Sequence, residues 1–302
     1  MLGRRRTENQ KMIRKAAEIW ASRSLQAIPL PIGQGGRKQR LISRVLDALR
    51  ISNRELRTLE ISPGSNLSLD LSKPNQRLLY FAFRNVQRYF KTEGLYAALC
   101  EIPFERRGTF FDIGANLGIW SIIARDLGFD SICIEPDPEH FSYLSHNRHL
   151  FHSIHQIALS DRTGRMDFYR YHQQPGHNSL VKSADGIVRD ETIEVDVATL
   201  DEFSATIPLE RPVSAVKIDV EGNEANTVNG VLEFLAVNDR PPVWCEVRGT
   251  GHPQTAATDT IVVNSLSTLG YKPMVFLNRR FVDYRQERHR TNIYDIYFVA
   301  AG

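Results

Sequence analysis

Nothing in this chain constrains its fold more than Phe110-Phe111-Asp112-Ile113-Gly114-Ala115-Asn116-Leu117-Gly118. An apolar run leads into an acid, glycines open a tight turn, and an amphipathic run starts at Leu117. That order predicts a buried strand, a glycine-rich turn and a helix start, the first β-α unit of a nucleotide-binding sheet. The pattern is D-x-G-x-N-x-G, not the G-x-G-x-x-G whose glycines let a pyrophosphate approach a helix N-terminus. An acid at the strand tip would repel a diphosphate. It suits a ligand that carries an ammonium group and no phosphate, and S-adenosylmethionine (SAM) answers that description.

Downstream, strand and helix alternate. Ile119, Ile122, Ile123 and Leu127 mark the first helix, and Ser131–Ile134 a second strand that ends at Glu135. Pro136 and Pro138 start a helix to about Leu150, and Ile154–Leu159 is a third strand. Met166–Tyr171 is extended. Residues 172–190 form a polar loop long enough to expect a function of it. Ile193–Val197 alternates as an edge strand, and Val213–Val220 is the fourth main strand. A helix spans about Asn223 to Val237, and Val243–Val247 is the fifth strand. A helix over 256–269 and strands near 271–277 and 292–299 complete the sheet. Such alternation predicts an α/β, doubly wound, mostly parallel sheet. Its ligand belongs at the carboxyl ends of the strands near the topological switch, where Asp112, Glu135, Asp219, Glu221 and Glu246 fall.

The N-terminal part reads differently. Residues 8–25 predict an amphipathic helix with Ile13, Ala17 and Trp20 on one face, broken by the Pro/Gly-rich stretch 28–36. Ile42, Val45, Leu46 and Leu49 make a second helical stripe. Ser52 and Glu55 suggest a capping box for a third, with Leu56 and Leu59. The turn Ser62-Pro63-Gly64-Ser65 then divides a helical extension (1–62) from the main domain (63–302). In the latter, Leu67, Leu69 and Leu71 alternate as a strand with Leu78–Phe83 as its partner, and residues 86–100 are helical. Net charge is +3, but residues 1–60 carry 14 Lys/Arg against 5 Asp/Glu, so the extension is +9 and the remainder −6. A solvated helical face explains this better than nucleic-acid binding, and the apolar stripe suits a homodimer contact. The faint helix-turn-helix likeness around Ile51 lacks the turn glycine. Cys100, Cys133 and Cys245 have neither metal nor disulfide spacing. No apolar run follows Arg4-Arg5-Arg6, and no stretch is long and apolar enough to span a membrane. The expected location is cytoplasmic.

Three constellations carry the chemistry. In the turn, Gly114 and Gly118 permit close backbone approach, and Asn116 can bond a bound amino-acid group. Glu135, about twenty residues on at a strand end, suits ribose hydroxyls. In Lys217-Ile218-Asp219-Val220-Glu221-Gly222, Asp219 would line the cofactor mouth and Glu221 would reach the substrate. The segments FDIGANLG (111–118), IEP (134–136), ALSDRTG (158–164), TLDEF (199–203), VKIDVEGNE (216–224) and WCEV (244–247) together resemble the FkbM-type methyltransferases, over roughly residues 67–299. The resemblance implies a seven-stranded class I (Rossmann-like) fold and SAM-dependent O-methylation of a hydroxyl on a sugar, glycan or glycosylated metabolite. It matches Asp112, Gly114, Ala115, Asn116 and Gly118 to the methionine end of SAM and Glu135 to its ribose. Ala158 to Asp161 match the segment beside adenine. Asp219 and Glu221 match acids at the cofactor–substrate junction, and Gly176–Leu180 resembles a loop over the site.

A sugar hydroxyl is a weak nucleophile, so a general base is expected. Asp219 or Glu221 is the first candidate, with His177 and His252 as alternatives. Asp219, Glu221 and Glu246 could also hold Mg²⁺, a cation that takes oxygen ligands. The competing readings are a non-sugar acceptor (polyketide, peptide or nucleic acid) and a non-catalytic SAM-fold subunit that binds a partner. Asp112 and Glu135 speak against the latter, and the missing G-x-G-x-x-G against a nicotinamide enzyme.

Overall fold

A computed structural model describes residues 15–16, 56–62, 65–73, 76, 79–80, 90–171, 175–182, 190–249, 258–285 and 293–301. The chain forms two compact units, Met1–Glu93 and Gly94–Gly302. In the first, Lys15 and Ala16 are helical. The rest of the two leading helices expected there lies outside the described residues. The third expected helix is corrected: Leu56–Ser62 is strand β1, paired antiparallel with β2, Ser65–Asp70. Leu56 and Leu59 are spaced for a helix, but exposure alternates residue by residue from Leu56 to the buried Ile61. Leu59 sits opposite Leu67, and Leu67 and Leu69 are fully buried. The partner of β2 is therefore β1 and not Leu78–Phe83, in which Leu79 and Tyr80 are helical.

The second unit runs α1 (Gly94–Glu101), β3 (Thr109–Ile113), α2 (Ile119–Asp126), β4 (Asp130–Ile134), α3 (Pro138–His146), β5 (Ser153–His155), β6 (Ala158–Leu159), β7 (Gly164–Arg170), β8 (Glu191–Ala198) and α4 (Leu200–Ser204). It continues with β9 (Val213–Ile218), α5 (Glu224–Asn229), α6 (Leu232–Val237), β10 (Val243–Arg248), α7 (Asp259–Thr268), β11 (Tyr271–Leu277), β12 (Arg280–Asp283) and β13 (Ile293–Ala300). The main sheet has the order β12-β11-β13-β10-β9-β3-β4-β5. β5, β4, β3, β9 and β10 are parallel, and β13 inserts antiparallel between β10 and β11. β12 adds an eighth strand as a hairpin on the β11 edge; the remaining seven are the doubly wound set. The chain leaves β3 toward β4 and β5, then returns to β9 and β10 on the other side. The switch between β3 and β9 opens the crevice where such sheets take ligands.

Alternate residues of the central strands feed two cores. Phe111, Ile113, Val216, Ile218, Cys245 and Val247 face one way, and Phe110, Ala215, Trp244 and Tyr297 the other. Both faces being covered, the strands are almost continuously apolar, and all of β3 is buried, its acid included.

Two other expectations change. β6 does not continue β5; it pairs with β8 in a separate sheet of order β6-β8-β7. The segment 193–197 is thus a middle strand, not an edge. The helix expected over 223–237 is broken into α5 and α6 at Gly230 and Val231, whose ψ of 5° and 0° leave the helical range, and Gly230 is needed at that break because it lies against another backbone. A Cβ there would collide with the Ser160 carbonyl oxygen. Among the described residues no helix is long and apolar enough to cross a membrane.

Candidate active site

At the switch point the ends of β3 and β9 are tied by a buried cation. Asp112 sits in register opposite Lys217, and both side chains are buried. Lys217 Nζ lies 3.1 Å from Asp112 Oδ1, an ion pair whose angle falls short of a hydrogen bond. The same ammonium donates to the Gly114 carbonyl at 3.2 Å and lies 3.4 Å from Asp219 Oδ2. Burial alone would lower the Lys217 pKa, but Asp112 and Asp219 outweigh it and hold the ammonium charged well above its ordinary range. Asp112 Oδ2 accepts from the Ser121 N–H at 3.1 Å and the Ser121 hydroxyl at 2.8 Å, at the start of α2. Asp112 thus faces into the protein. Its carboxylate fixes the turn, and it is not among the groups that line the cleft.

That cleft is lined by Gly114, Asn116, Glu135, Ala158, Asp219 and Glu221 among the residues singled out from sequence. Gly114 is required there: its φ is +78°, and a Cβ would strike the Asp219 carbonyl oxygen. Ala115 donates its N–H to the Ile134 carbonyl at 3.0 Å, and Gly118 caps α2; both shape the turn from behind. Glu135 Oε2 accepts from the Asn116 N–H at 2.7 Å and Oε1 from the Asp137 N–H at 3.0 Å. Each oxygen keeps a second lone pair for a ligand. Asp161 turns away to pair with Arg162 at 2.9 Å, and that contact draws its pKa down.

Across the cleft, Asp219 and Glu221 are partly exposed. Glu221 Oε2 lies 3.3 Å from His177 Nδ1 and 3.5 Å from the buried Arg248 Nη2. Asn116 and Glu221, with φ of 51° and 56°, adopt left-handed backbone without being glycine. Such strain is held where the surroundings enforce it, commonly at functional sites. Carboxylate oxygens of Asp219, Glu221 and Glu246 all lie within 4.8 Å of one another. Burial, then the charges of Asp219, Glu221 and Asp295, raise Glu246 well above the usual carboxylate range. His252 lies outside the described residues.

The wall over the cleft comes from Gly176, Asn178 and Leu180. Its anchor is Asp137, the N-cap of α3, whose Oδ2 takes Arg170 Nε at 2.7 Å and Asn178 Nδ2 at 2.9 Å. Ser179 and Tyr169 exchange backbone hydrogen bonds at 2.8 and 3.0 Å. Asn178 comes from the loop expected over the site, whereas sequence reasoning missed His140 and Asn223 as lining groups. A histidine five positions after the strand-terminal acid was the available signal for the first.

Glu224, fully buried beneath this end, gives a pH-dependent expectation. Burial pushes its carboxyl up to about 7, Glu221 adds to this, and the N–H groups of Gly222 and Glu224 and the charge of Arg248 oppose it. The folded state therefore binds this proton more tightly than the unfolded chain. Its stabilisation is complete below the unfolded pKa near 4.5 and is lost as pH rises through 7. The loss is on the order of 3 kcal/mol at about 1.4 kcal/mol per unit. Glu224→Gln should flatten urea-unfolding stability between pH 4.5 and 8; an unchanged slope would assign it to other groups.

The family described as Methyltransferase FkbM domain matches residues 112–273, more than half of the chain and every constellation above. The chain belongs to that family of methyltransferases. Methyltransferase 1 of Beauveria bassiana (strain ARSEF 2860) is 28% identical over 151 residues, 43% of this chain and 60% of that protein. The match thus spans less than two thirds of its relative. Among solved structures, a TehB-like SAM-dependent methyltransferase from Corynebacterium glutamicum ATCC 13032 is similar at a TM-score of 0.34 and 11% identity, covering 72% of this chain and 97% of that one. The glycopeptide N-methyltransferase MtfA, complexed with sinefungin, is similar at a TM-score of 0.34 and 7% identity, covering 70% of this chain and 87% of that one. The fold follows from the strand order, without weight from either structure.

Proposed function

We propose that the chain is a SAM-dependent O-methyltransferase whose acceptor is a hydroxyl of a sugar, glycan or glycosylated metabolite. One observation carries the reading: a single cleft joins a nucleoside-type end, at Asn116 and Glu135, to a proton-accepting end, at Asp219 and Glu221. The residues fit the cofactor. Glu135 has lone pairs for ribose hydroxyls, the Gly114–Asn116 backbone admits a close ligand, and Ile134, Pro136 and Ile157 offer apolar surface to a base. Asp112 being enclosed, Asp219 is the carboxylate beside the turn that can meet the ligand's ammonium. Bound SAM supplies a methyl group on a sulfonium, which leaves as a neutral thioether.

The chain's own work is alignment, exclusion of water and removal of one proton. Glu221 would take the proton of the acceptor hydroxyl as that oxygen is methylated. His177, in contact with Glu221 and partly exposed, hands it on to solvent. The loop Gly176–Leu180 screens the cleft. A second reading rests on the clustered oxygens of Asp219, Glu221 and Glu246, which suit Mg²⁺; the metal would lower the hydroxyl's pKa in place of a free base.

The test is transfer of label from methyl-labelled SAM into a deproteinised cell extract, with and without EDTA. Label should enter a hydroxyl-bearing glycan or glycosylated metabolite and survive EDTA. Loss with EDTA, restored by Mg²⁺, would favour the metal reading. Label only in polyketide, peptide or nucleic acid would replace the acceptor class, and no transfer to any acceptor would leave a binding subunit.

A further inference from the structure

We infer that Arg248 is a positioning residue for the reaction, its guanidinium holding the Glu221 carboxylate at the reacting end of the cleft against the repulsion of Asp219 and Glu246. The inference rests on the proposal that Glu221 is the base. One oxygen from each of Asp219, Glu221 and Glu246 lies within 4.8 Å of the others. Like charges at that spacing repel. Glu221 stands on the turn between β9 and α5 with its side chain 23% exposed, so swinging into solvent would relieve the repulsion. At Asp219 the offsetting cation is Lys217, 3.4 Å away. At Glu221 it is Arg248, whose Nη2 lies 3.5 Å from Oε2. His177 meets the same oxygen at 3.3 Å, but its ring is charged only when protonated, whereas a guanidinium is always charged.

Arg248 is itself held in place. It closes β10, the neighbour of β9 in the sheet. Its N–H donates to Thr258 Oγ1 and its carbonyl accepts from the Thr258 N–H, both at 2.9 Å. The side chain is 6% exposed. Its guanidinium lies against Gly222, where a Cβ would be 3.6 Å from Cζ. A buried guanidinium keeps its charge and is tolerated beside a counter-charge. Among the described residues, Glu221 is the one carboxylate within ion-pair distance of it. The charge of Glu224 also acts on Arg248, but burial pushes that carboxyl up to about 7, so it is only partly ionised near neutrality. The pairing therefore fixes a partly exposed carboxylate from its buried side.

The test is a cycle of Arg248→Gln and Glu221→Gln, read as the initial rate of label transfer from methyl-labelled SAM into deproteinised cell extract. Arg248→Gln should lower the rate at saturating SAM by about 10- to 100-fold, the scale of loss when a reacting group is displaced by about 1 Å. The SAM concentration at half-maximal rate, and calorimetric binding of S-adenosylhomocysteine, should stay within about threefold, because the interaction lost serves turnover and not ligand binding. In a Glu221→Gln background the same change should cost less than about threefold more, since no base is left to position. If the Gln variant does not fold, the same cycle is run with Arg248→Lys, whose ammonium keeps the charge but ends one bond short of Nη2. Equal losses in both backgrounds, a parent-like rate from Arg248→Gln, or lost ligand binding in a folded Arg248 variant would overturn the role of Arg248 alone. Parent-like transfer by Glu221→Gln would overturn the base assignment and this inference with it. No transfer by the unaltered protein would overturn the transferase proposal as well.

Discussion

Lys217→Met should cost the fold about 3–5 kcal/mol, the range for removing one partner of a buried ion pair. Lys217 is 3% exposed and Asp112 is fully buried. Without the ammonium, Asp112 keeps only the two Ser121 hydrogen bonds, both to Oδ2. Its Oδ1 would be an uncompensated charge in the core. Asp219 suffers less because water can reach it. The comparison that isolates the cause is Asp112→Asn with Lys217→Met. Taking out both charges removes the desolvation problem along with the attraction, so the double variant should recover much of the loss. Urea unfolding of the parent, the single variants and the double variant closes the cycle. A single-variant loss below about 1 kcal/mol, or strict additivity, would mean that the two charges do not act as a pair.

This pair also shows which parts of the molecule are visible in its sequence. The β3–turn–α2 unit is legible because an apolar run, an acid and glycines leave few alternatives, and Glu135 because Pro136 ends its strand. Membership in the FkbM family follows from segments that are local in sequence. The work done by Asp112 is not local. It depends on the register that sets residue 112 opposite residue 217, and no periodicity reports which strands become neighbours. An acid at the strand tip reads equally well as a ligand for an ammonium inside the protein or outside it.

The misread elements have the same origin. Leu56 and Leu59 satisfy a helical spacing, and pairing with β2 overrides it, since local propensity is weak against tertiary contact. The segment from residue 223 to 237 reads as one helix, yet the backbone leaves the helical range at Gly230 and Val231, where Gly230 packs against the Ser160 backbone. His140 escaped notice because its one signal, a place five residues after Glu135, gains meaning only once both side chains line the same cleft.

Glu221→Gln should lower the rate of methyl transfer by about 10²–10⁴-fold, the range for loss of a general base, while S-adenosylhomocysteine binding stays within about threefold. Gln keeps the size of the side chain and an oxygen for His177 and Arg248. It adds no strain to a backbone already at φ 56°, so the fold should tolerate it. What it loses is the capacity to take a proton. His177→Asn should cost less, on the order of tenfold, because the proposed mechanism gives it only a proton that Glu221 has already accepted. Asp219→Asn should act on the other term and weaken ligand binding, as that carboxylate faces the Gly114 turn. The three variants therefore separate along two axes, binding and turnover. A Glu221→Gln enzyme within fivefold of the parent would move the base to Asp219 or His177. Equal loss of binding and rate would make Glu221 a structural post of the cleft.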